Sequence, residues 1–541
     1  MKPGCPRLPF HEQRMGMTMT AVWSRFAALA LAASVVFAGA APAIAQTPPG
    51  VLIVGQIAEP QSLDPHRVTA ANDFRILTNV YDGLVRYEAG TLDLEPALAT
   101  AWDISEDGLT YTFTLREGVT FHDGSAFDAE AVKFNFDRML DETHPFHDTG
   151  PFPLSFQFDA VDSVTAIDPL TVEFTLKEPF APFLSNLAAP VGLIVSPAGV
   201  EAAGGEFGRS PSGTGPFRFA EWVANQRVVV EANPDYWDGA PALQAVVFRP
   251  ITDANTRIAE MMAGGIDVLV ETPPDNVAVF RDDPTFTVHE AVGPHVWFLI
   301  LNTRDGPFAD KRVRQAVNYA VDKQGIVDNI LQGTAEVAAG PIPPAFDWAT
   351  DPGIAPYPHD PERARALLAE AGVTEADMTF LVTEGGSGML DPVQMATAIQ
   401  SDLAAVGLNA NIQTYEWNSY LAQVNGGLSG KGDMAEMAWM TNDPDTLPFL
   451  TLHSNAMPEA GGFNSGYYSN PHLDGLLDQA RTAIDFEERA DLYREIQGLV
   501  HEEAPWLFVA NWKQNAVTTA RVDGFTLQPD FTLILRDVVK N

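Results

Sequence analysis

Residues 108–116 read GLTYTFTLR, and residues 121–124, which follow closely, read FHDG. Apolar and polar side chains alternate over 110–115, and this alternation predicts a strand with one buried face. The last two residues of FHDG form a turn pair, and Asp128 stands where it can cap a helix that runs to Met139. A strand, a turn and a capped helix in direct succession indicate a mixed α/β protein.

The same patterns extend in both directions along the chain, without internal repeats or low-complexity tracts. Strands are predicted at 51–57, 228–231, 245–250, 268–270 and 296–301, and a hairpin at 161–176 around Asp168-Pro169. Helices are predicted at 72–85, 253–262, 311–331, 360–372 and 487–503. A chain of 541 residues is too long for a single hydrophobic core, so two or three domains are expected.

The N-terminal region predicts export from the cytoplasm. Arg14 and Arg25 precede an apolar run at 26–40, and residues 43–45 (AIA) place small side chains three and one before a cleavage point. The run is too short to span a bilayer, so residues 1–45 are predicted to be a cleavable signal peptide. The mature chain is expected to begin near Gln46. A membrane anchor is the alternative.

The stretch before Arg14 is expected to be an over-extended start, with Met15, Met17 or Met19 as the true first residue. Cys5 is the only cysteine, and it precedes the signal. The mature chain therefore has no disulfide, no cysteine metal site and no lipid-bearing cysteine. A free exported protein of this kind suggests the periplasm of a Gram-negative bacterium.

The chain is strongly acidic, with 71 acidic and 32 basic residues and a formal net charge of −39. Nucleic acid and anionic lipid surfaces repel such a charge, so neither is expected as a partner. High solubility outside the cytoplasm is the simplest reading.

Motifs for catalysis are missing from the sequence. Neither H-E-x-x-H nor G-x-S-x-G occurs, and Gly430-Lys431 fails as a phosphate loop because Asn425 and Gly432 occupy two of its required positions. Pro145 separates His144 from His147, which argues against a helical metal pair. We therefore predict no catalytic residue, no metal and no cofactor. An exported hydrolase remains an alternative that would require a nucleophile and a base.

A set of short segments, in order from about residue 51 to residue 524, carries a resemblance to a known family. The segments are 63–65 (LDP), 80–84 (VYDGL), 94–99 (LEPALA), 108–116, 121–124, 213–217 (GTGPF), 233–237 (NPDYW), 312–316 (RVRQA), 360–364 (DPERA), 367–372 (LLAEAG), 415–417 (YEW) and 467–470 (YYSN). Together they resemble the extracytoplasmic solute-binding proteins of family 5, the peptide, glutathione and nickel receptors of ABC importers. The C-terminal third is most similar to the glutathione- and dipeptide-binding branch.

The resemblance implies a two-lobed periplasmic-binding-protein fold of class II, cluster C type, with lobes that are joined by crossing strands and close on a ligand. Lobe I would comprise residues 46–85, 208–298 and 512–541. An extra subdomain at 86–207 would be inserted into lobe I, and lobe II would comprise 299–511.

The resemblance also suggests how the ligand ends are held. Dipeptide receptors pair the ligand ammonium with an aspartate after a Trp-Thr-Gly-like turn, and the ligand carboxylate with an arginine. Here the turn reads WMTNDPD at 439–445, so that Asn442 or, after a one-residue shift, Asp443 takes the aspartate position. The loop expected to bring the arginine, 384–389, has none. A two-ended dipeptide clamp is therefore in question.

The predicted ligand-binding residues fall into groups by role. Trp417 would form a flat apolar wall, and the loop before the helix at 72–85 would offer free amides to a carboxylate. Asp443 is the candidate for the ammonium, and core packing is the alternative for each aromatic residue. The full set is Thr69, Ala70, Ala71, Asn72, His295, Trp297, Trp417, Trp439, Thr441, Asn442, Asp443 and Asp445.

The sequence thus predicts a monomeric periplasmic protein that captures a small peptide, a di- or oligopeptide or a glutathione-like one, and delivers it to the permease subunits of an ABC importer. The alternative within the same family is a receptor for a non-peptide solute, such as a metal chelate, an opine or an oligosaccharide. The metal chelate stays an alternative because His66 and His295 could bind its metal.

Overall fold

Two long antiparallel strands, Phe286–Leu301 and Trp506–Thr519, organise the molecule. The computed structural model describes residues 47–386 and 388–541, so the predicted signal peptide and the expected start at Gln46 lie outside the described residues. Both long strands belong to one eleven-stranded sheet. Their pairing register shifts between Val292 and Val296, near the middle of the first strand.

The strands, in chain order, are β1 Val51–Gln56, β2 Val85–Tyr87, β3 Leu94–Pro96, β4 Ala99–Ile104, β5 Thr110–Leu115, β6 Val161–Asp168, β7 Thr171–Leu176, β8 Phe217–Val223, β9 Arg227–Ala232, β10 Ala245–Pro250, β11 Val268–Val270, β12 Phe286–Leu301, β13 Ala335–Val337, β14 Ala376–Thr383, β15 Leu408–Tyr415, β16 Met434–Met440, β17 Trp506–Thr519, β18 Val522–Asp523, β19 Thr526–Leu527, β20 Leu533–Ile534 and β21 Val539–Lys540.

The α-helices are α1 Ala71–Val80, α2 Ala129–Leu140, α3 Phe183–Ala188, α4 Pro197–Ala203, α5 Ala254–Met262, α6 Pro274–Arg281, α7 Lys311–Ala320, α8 Lys323–Asn329, α9 Pro361–Glu370, α10 Pro392–Ala405, α11 Trp417–Val424, α12 Thr446–Leu452, α13 Pro471–Thr482 and α14 Phe486–Glu503.

The large sheet gives the protein two lobes. Its strand order is β15-β14-β16-β12-β17-β11-β1-β10-β9-β8, and β13 pairs with β17 off this path. The end from β11 to β8 belongs to the first lobe, and the end from β15 to β16 belongs to the second. Strands β12 and β17 stand between the two ends and take part in both lobes, so the connection between the lobes passes through them.

A separate antiparallel sheet with the order β4-β5-β7-β6 forms the inserted subdomain together with α2, which packs on β6 and β7. Phe113 and Phe174 pack edge to face here at 5.6 Å, and Phe136 packs against Phe174 at 4.8 Å. Each such buried aromatic stabilises the core by roughly 1.5–3 kcal/mol. This subdomain therefore has its own core, distinct from the cores that pack on the two ends of the large sheet.

Most of the predicted elements are confirmed. Strand β5 has the predicted bounds, the hairpin becomes β6 and β7, and Asp128 caps α2 by accepting a hydrogen bond from the Ala131 amide at 2.9 Å. The backbone at Gly213 and Gly215 packs closely against α1, because a Cβ at either glycine would lie within 2.6 Å of Val80 backbone atoms.

The single helix predicted at 311–331 is wrong. The chain forms α7 and α8, with a break at Val321 and Asp322. The side chain of Asp322 accepts a hydrogen bond from the Gly325 amide at 2.9 Å and so caps α8. The apolar stripe continues through the break because both helices pack on the same core, and the stripe therefore hides the boundary.

Candidate functional site

A cavity of about 550 Å³ lies between the two lobes, and we call it the aromatic cavity. Most of its lining residues come from the start of α1, from β12, from the loop after β14, from α11, from β16, from β17 and from the C-terminal tail. The lining residues are Ile57, Thr69, Ala70, Ala71, Asn72, Glu271, His295, Gly386, Gly388, Met389, Trp417, Leu421, Asn425, Met437, Ala438, Trp439, Met440, Phe463, Trp512 and Phe531.

The first lobe presents the N-terminus of α1 to this cavity. Ala70 is the N-cap residue and has no side-chain group to accept the helix amides. The carbonyl of Ala70 accepts hydrogen bonds from the amides of Asp73 and Phe74, at 3.0 and 3.2 Å. The amides of Ala71 and Asn72 form no hydrogen bond within the described residues and are open to an anionic group.

The second lobe contributes Trp417, the first residue of α11. Glu416 caps this helix by accepting hydrogen bonds from the amides of Asn418 and Ser419 at 3.0 and 3.3 Å, and this cap fixes the indole at the cavity wall. The backbone at Gly386 lies so close to the ring that an added Cβ would come within 2.2 Å of it. The glycine-rich loop therefore packs flat against Trp417.

Two further aromatic pairs complete the walls. The rings of Trp439 and Phe463 meet edge to face at 5.5 Å in the second lobe. Trp512 on β17 and Phe531 in the C-terminal tail lie 5.0 Å apart. Such surfaces bind flat or apolar groups and exclude water from them.

His295 is the most deeply buried polar side chain of this lining, at 1% exposure. Neither ring nitrogen has a hydrogen-bond partner within the described residues. Burial lowers the pKa of His295 to about 4, although the Gly388 backbone acts in the opposite direction. The imidazole is therefore neutral at pH 7 and retains one donor and one acceptor.

A second cavity of about 320 Å³, the side cavity, is lined by the first lobe, the inserted subdomain and the second lobe. It shares Thr69, Trp439 and Met440 with the aromatic cavity, so the two adjoin. Its other lining residues are Phe74, Tyr87, Leu154, Phe156, Gln157, Phe180, Asn186, Ala189, Pro190, Val191, Thr441, Asn442, Asp445, Thr446, Leu450, Arg481 and Asp530.

Among the predicted site residues, Asp443 does not line either cavity. Its carboxylate accepts hydrogen bonds from Arg489 at 2.5 Å and from the Ser185 hydroxyl at 3.0 Å. The amide of Asn442 donates to the side-chain oxygen of Asn186 at 2.8 Å. We call this segment, residues 441–445 with its partners Ser185, Asn186 and Arg489, the bridge, because it ties the second lobe to the inserted subdomain.

Asp445 does line the side cavity. Burial raises its pKa to about 6, and Arg481, 3.7 Å away, acts in the opposite direction. Trp297 lines neither cavity: it is fully buried in a hydrophobic core that also contains Val313 and Phe380. His295 and Trp297 share one face of β12, but only the former reaches the cavity. All the other predicted residues line one cavity or the other.

Sequence reasoning missed several lining residues, namely Glu271, Met389, Phe463, Trp512, Asp530 and Phe531. Glu271 pairs with Arg75 at 2.5 Å. Phe531 has a positive φ of 68°, which turns the tail toward the cavity. An aromatic side chain at such a position is unusual, but its φ cannot be read from the sequence.

Within residues 47–386 and 388–541, no group of three or more histidine, cysteine or acidic side chains is arranged to hold a metal ion. In the same part of the chain, no helix is both long enough and apolar enough to cross a membrane.

A two-lobed α/β fold with an aromatic cavity between its lobes defines a solute-binding protein. The family model for bacterial extracellular solute-binding proteins, family 5 (Middle), matches residues 93–458, and the chain belongs to this family. Members of the family are substrate-binding proteins of transport systems.

The comparisons identify close relatives along nearly the whole chain. Di/tripeptide-binding protein 2 of Pseudomonas aeruginosa is 35% identical over 520 residues, which are 92% of this chain and 97% of the relative. Heme-binding protein A of Haemophilus influenzae is 35% identical over 83% of this chain and 85% of its own. The structure of HbpA2 from Haemophilus parasuis superposes with a TM-score of 0.84 at 31% identity, over 91% of this chain and all of that one.

Proposed function

We propose that the protein captures a small peptide, a di- or oligopeptide or a glutathione-like one, between its lobes and delivers it to the permease of an ABC importer. The observation that carries the proposal is the aromatic cavity, which both lobes line and which combines flat apolar walls with open amides at α1. The similarity to a di/tripeptide-binding protein over most of both chains supports it.

The lining residues suggest a division of roles. The indoles of Trp417, Trp439 and Trp512 would pack against peptide planes or side chains. The amides of Ala71 and Asn72 would donate hydrogen bonds to the ligand carboxylate at the positive end of α1. This arrangement replaces an arginine that the loop at 384–389 does not contain.

Several further properties belong to the same proposal. Residues 1–45 would direct export and be removed, and the protein would act as a monomer in the periplasm. Lobe I would comprise 46–85, 208–298 and 512–541, with 86–207 inserted and 299–511 as lobe II. The protein would perform no chemistry on its ligand, so the peptide would be released unmodified.

A metal chelate is the second candidate ligand, because His295 has no partner for either ring nitrogen within the described residues. The similarity to a heme-binding protein favours the same candidate. However, an added Cβ at Gly388 would lie only 3.0 Å from Nε2, so the loop covers this nitrogen. A chelate would reach it only after that loop moved.

Thermal unfolding of the purified protein with a ligand panel tests the proposal. The panel holds dipeptides, tripeptides, glutathione, an opine, an oligosaccharide, nickel-histidine and heme. A ligand that binds only the folded state adds about 2.7 kcal/mol of stability at a hundredfold excess over its Kd. Stabilisation by peptides that is lost in Trp417→Ala but retained in Trp102→Ala supports the proposal. Stabilisation by the chelates alone contradicts it, and hydrolysis of the bound peptide would show an enzyme.

A further inference from the structure

The C-terminal tail brings an acidic side chain, Asp530, into the wall of the side cavity. It is half-buried, and it directly precedes Phe531, which lines the aromatic cavity. Asp530 therefore lines the side cavity on the first-lobe side, one residue along the chain from the lining of the aromatic cavity. None of the sequence motifs pointed to it.

The other acidic residues that line the two cavities each have an arginine. Glu271 lies 2.5 Å from Arg75, and Asp445 lies 3.7 Å from Arg481. In contrast, Asp530 makes no ion pair within the described residues. Its Oδ1 accepts hydrogen bonds from the amide and the hydroxyl of Thr532, at 3.1 and 2.6 Å.

Arg75 is the cation that acts on Asp530. Arg75 lowers the pKa of Asp530; its Nε donates to the Phe531 carbonyl and its Nη2 to Glu271, while Nη1 is buried without a hydrogen-bond partner within the described residues. Burial acts more strongly and raises the pKa of Asp530 above its usual range. A partly buried carboxylate without an ion-pair partner is strongly stabilised by a cationic group that a ligand brings next to it.

We propose that Asp530 accepts the cationic end of the ligand, which for a peptide is its α-ammonium group. This inference rests on the proposed function and assigns to Asp530 the role that the sequence suggested for Asp443. Asp443 is unsuited to it because Arg489 already neutralises its charge. With the ammonium at Asp530 and the carboxylate at the α1 amides, one wall of the first lobe would recognise both ends of a zwitterion.

A purely structural role for Asp530 is the competing explanation. Its bonds to Thr532 close a turn around Phe531, whose φ is positive. An asparagine preserves the oxygen that makes this turn and removes only the charge. Asp530→Asn therefore separates the two explanations.

The experiment compares the dipeptide Leu-Phe with N-acetyl-Leu-Phe by calorimetric titration of the purified protein. Losing a charge-assisted hydrogen bond is expected to weaken binding of Leu-Phe to Asp530→Asn by roughly tenfold or more. N-acetyl-Leu-Phe, which has no ammonium, should bind the variant and the unmodified protein within about threefold of each other. Asp103→Asn, which removes an exposed carboxylate on β4, is the matched control and should bind both peptides normally.

Each result has one meaning. If Asp530→Asn binds Leu-Phe as the unmodified protein does, or loses both peptides equally, the inference is wrong while the proposed function stands. If the unmodified protein binds N-acetyl-Leu-Phe as tightly as Leu-Phe, no group recognises the ammonium and the inference is again wrong. If neither peptide binds but nickel-histidine or heme does, the proposed function fails and the inference falls with it.

Discussion

The bridge joins the second lobe to the inserted subdomain, and the aromatic cavity lies between the two lobes; their main polar groups differ in hydrogen bonding. In the bridge, the carboxylate of Asp443 has both an arginine and a serine as partners. In the cavity, His295 and the first amides of α1 have no partner within the described residues. Buried polar groups are normally satisfied, so an unpartnered group that faces a cavity is a candidate for contact with a ligand. The bridge is not fully satisfied either, because Asp445 Oδ1 and Arg489 Nε have no hydrogen-bond partner within the described residues.

This difference assigns a structural role to Asp443 and a ligand-binding role to the groups that face the cavity. Changes in the bridge should therefore lower the stability of the protein. Changes in the cavity should lower its affinity for the ligand and leave the fold intact.

The largest effect is expected from Asp443→Asn. This change leaves the buried guanidinium of Arg489 without a counter-charge, and breaking a buried ion pair costs about 3–5 kcal/mol. The midpoint of thermal unfolding should fall steeply, with or without ligand. A variant of normal stability that no longer binds peptide would instead show that Asp443 takes part in ligand binding.

Trp417→Ala should show the reverse pattern. The indole forms a cavity wall, and truncating a central aromatic anchor costs at least about 2 kcal/mol of binding, or roughly thirtyfold in Kd. Titration calorimetry with the best peptide of the panel measures this loss. The comparison would break if Trp417→Ala lowered the unfolding midpoint as much as Asp443→Asn and left the affinity unchanged.

His295 sharpens the comparison through pH. Its pKa is about 4 in the folded protein and 6.5 as its ordinary value, so the unfolded chain binds the proton first as the pH falls. Stability from this group is complete above pH 6.5 and is lost between pH 6.5 and pH 4. Lowering the pH from 7 to 5 should cost about 2 kcal/mol through His295 alone.

Denaturant unfolding of the protein and of His295→Gln at both pH values measures this contribution. The drop should be smaller in the variant by that amount. Equal drops in the two proteins would mean that His295 is not held neutral by burial.

The smallest effect is expected from Gly386→Ala. The added methyl group would meet the Trp417 ring at 2.2 Å, so the ring or the loop must shift, and peptide affinity should fall roughly tenfold. Gly385→Ala is the matched control, because nothing lies within 4 Å of a Cβ there. If both variants bind alike, the loop is not what positions the indole.

Much of the fold is predictable because its signals are local. The alternation in β5 and the cap at Asp128 each involve residues within a single turn or strand. The helix predicted at 311–331 is wrong because its apolar stripe reports burial and not the break at Asp322. Both helices bury their apolar side chains in the same core, so the stripe looks continuous in the sequence.

The site is predictable only where a short segment of sequence determines its own local structure, such as the start of a helix. The loop at 69–72 and Trp417 carry a helix start with them, and both line the aromatic cavity. The carboxylate of Asp443 is neutralised by Arg489, which lies 46 residues further along the chain. The sequence around Asp443 does not indicate this partner. Asp530 reaches the side cavity through a tail without periodic pattern, so only the structure reveals it.

The most direct test of the central claim is native mass spectrometry of the purified protein with an equimolar mixture of dipeptides, tripeptides, glutathione, an opine, an oligosaccharide and nickel-histidine. We predict a one-to-one complex whose added mass is that of a di- or tripeptide or of glutathione, absent in Trp417→Ala. A complex formed only with the opine, the sugar or the chelate would contradict peptide capture and leave the two-lobed fold as the part of the account that stands.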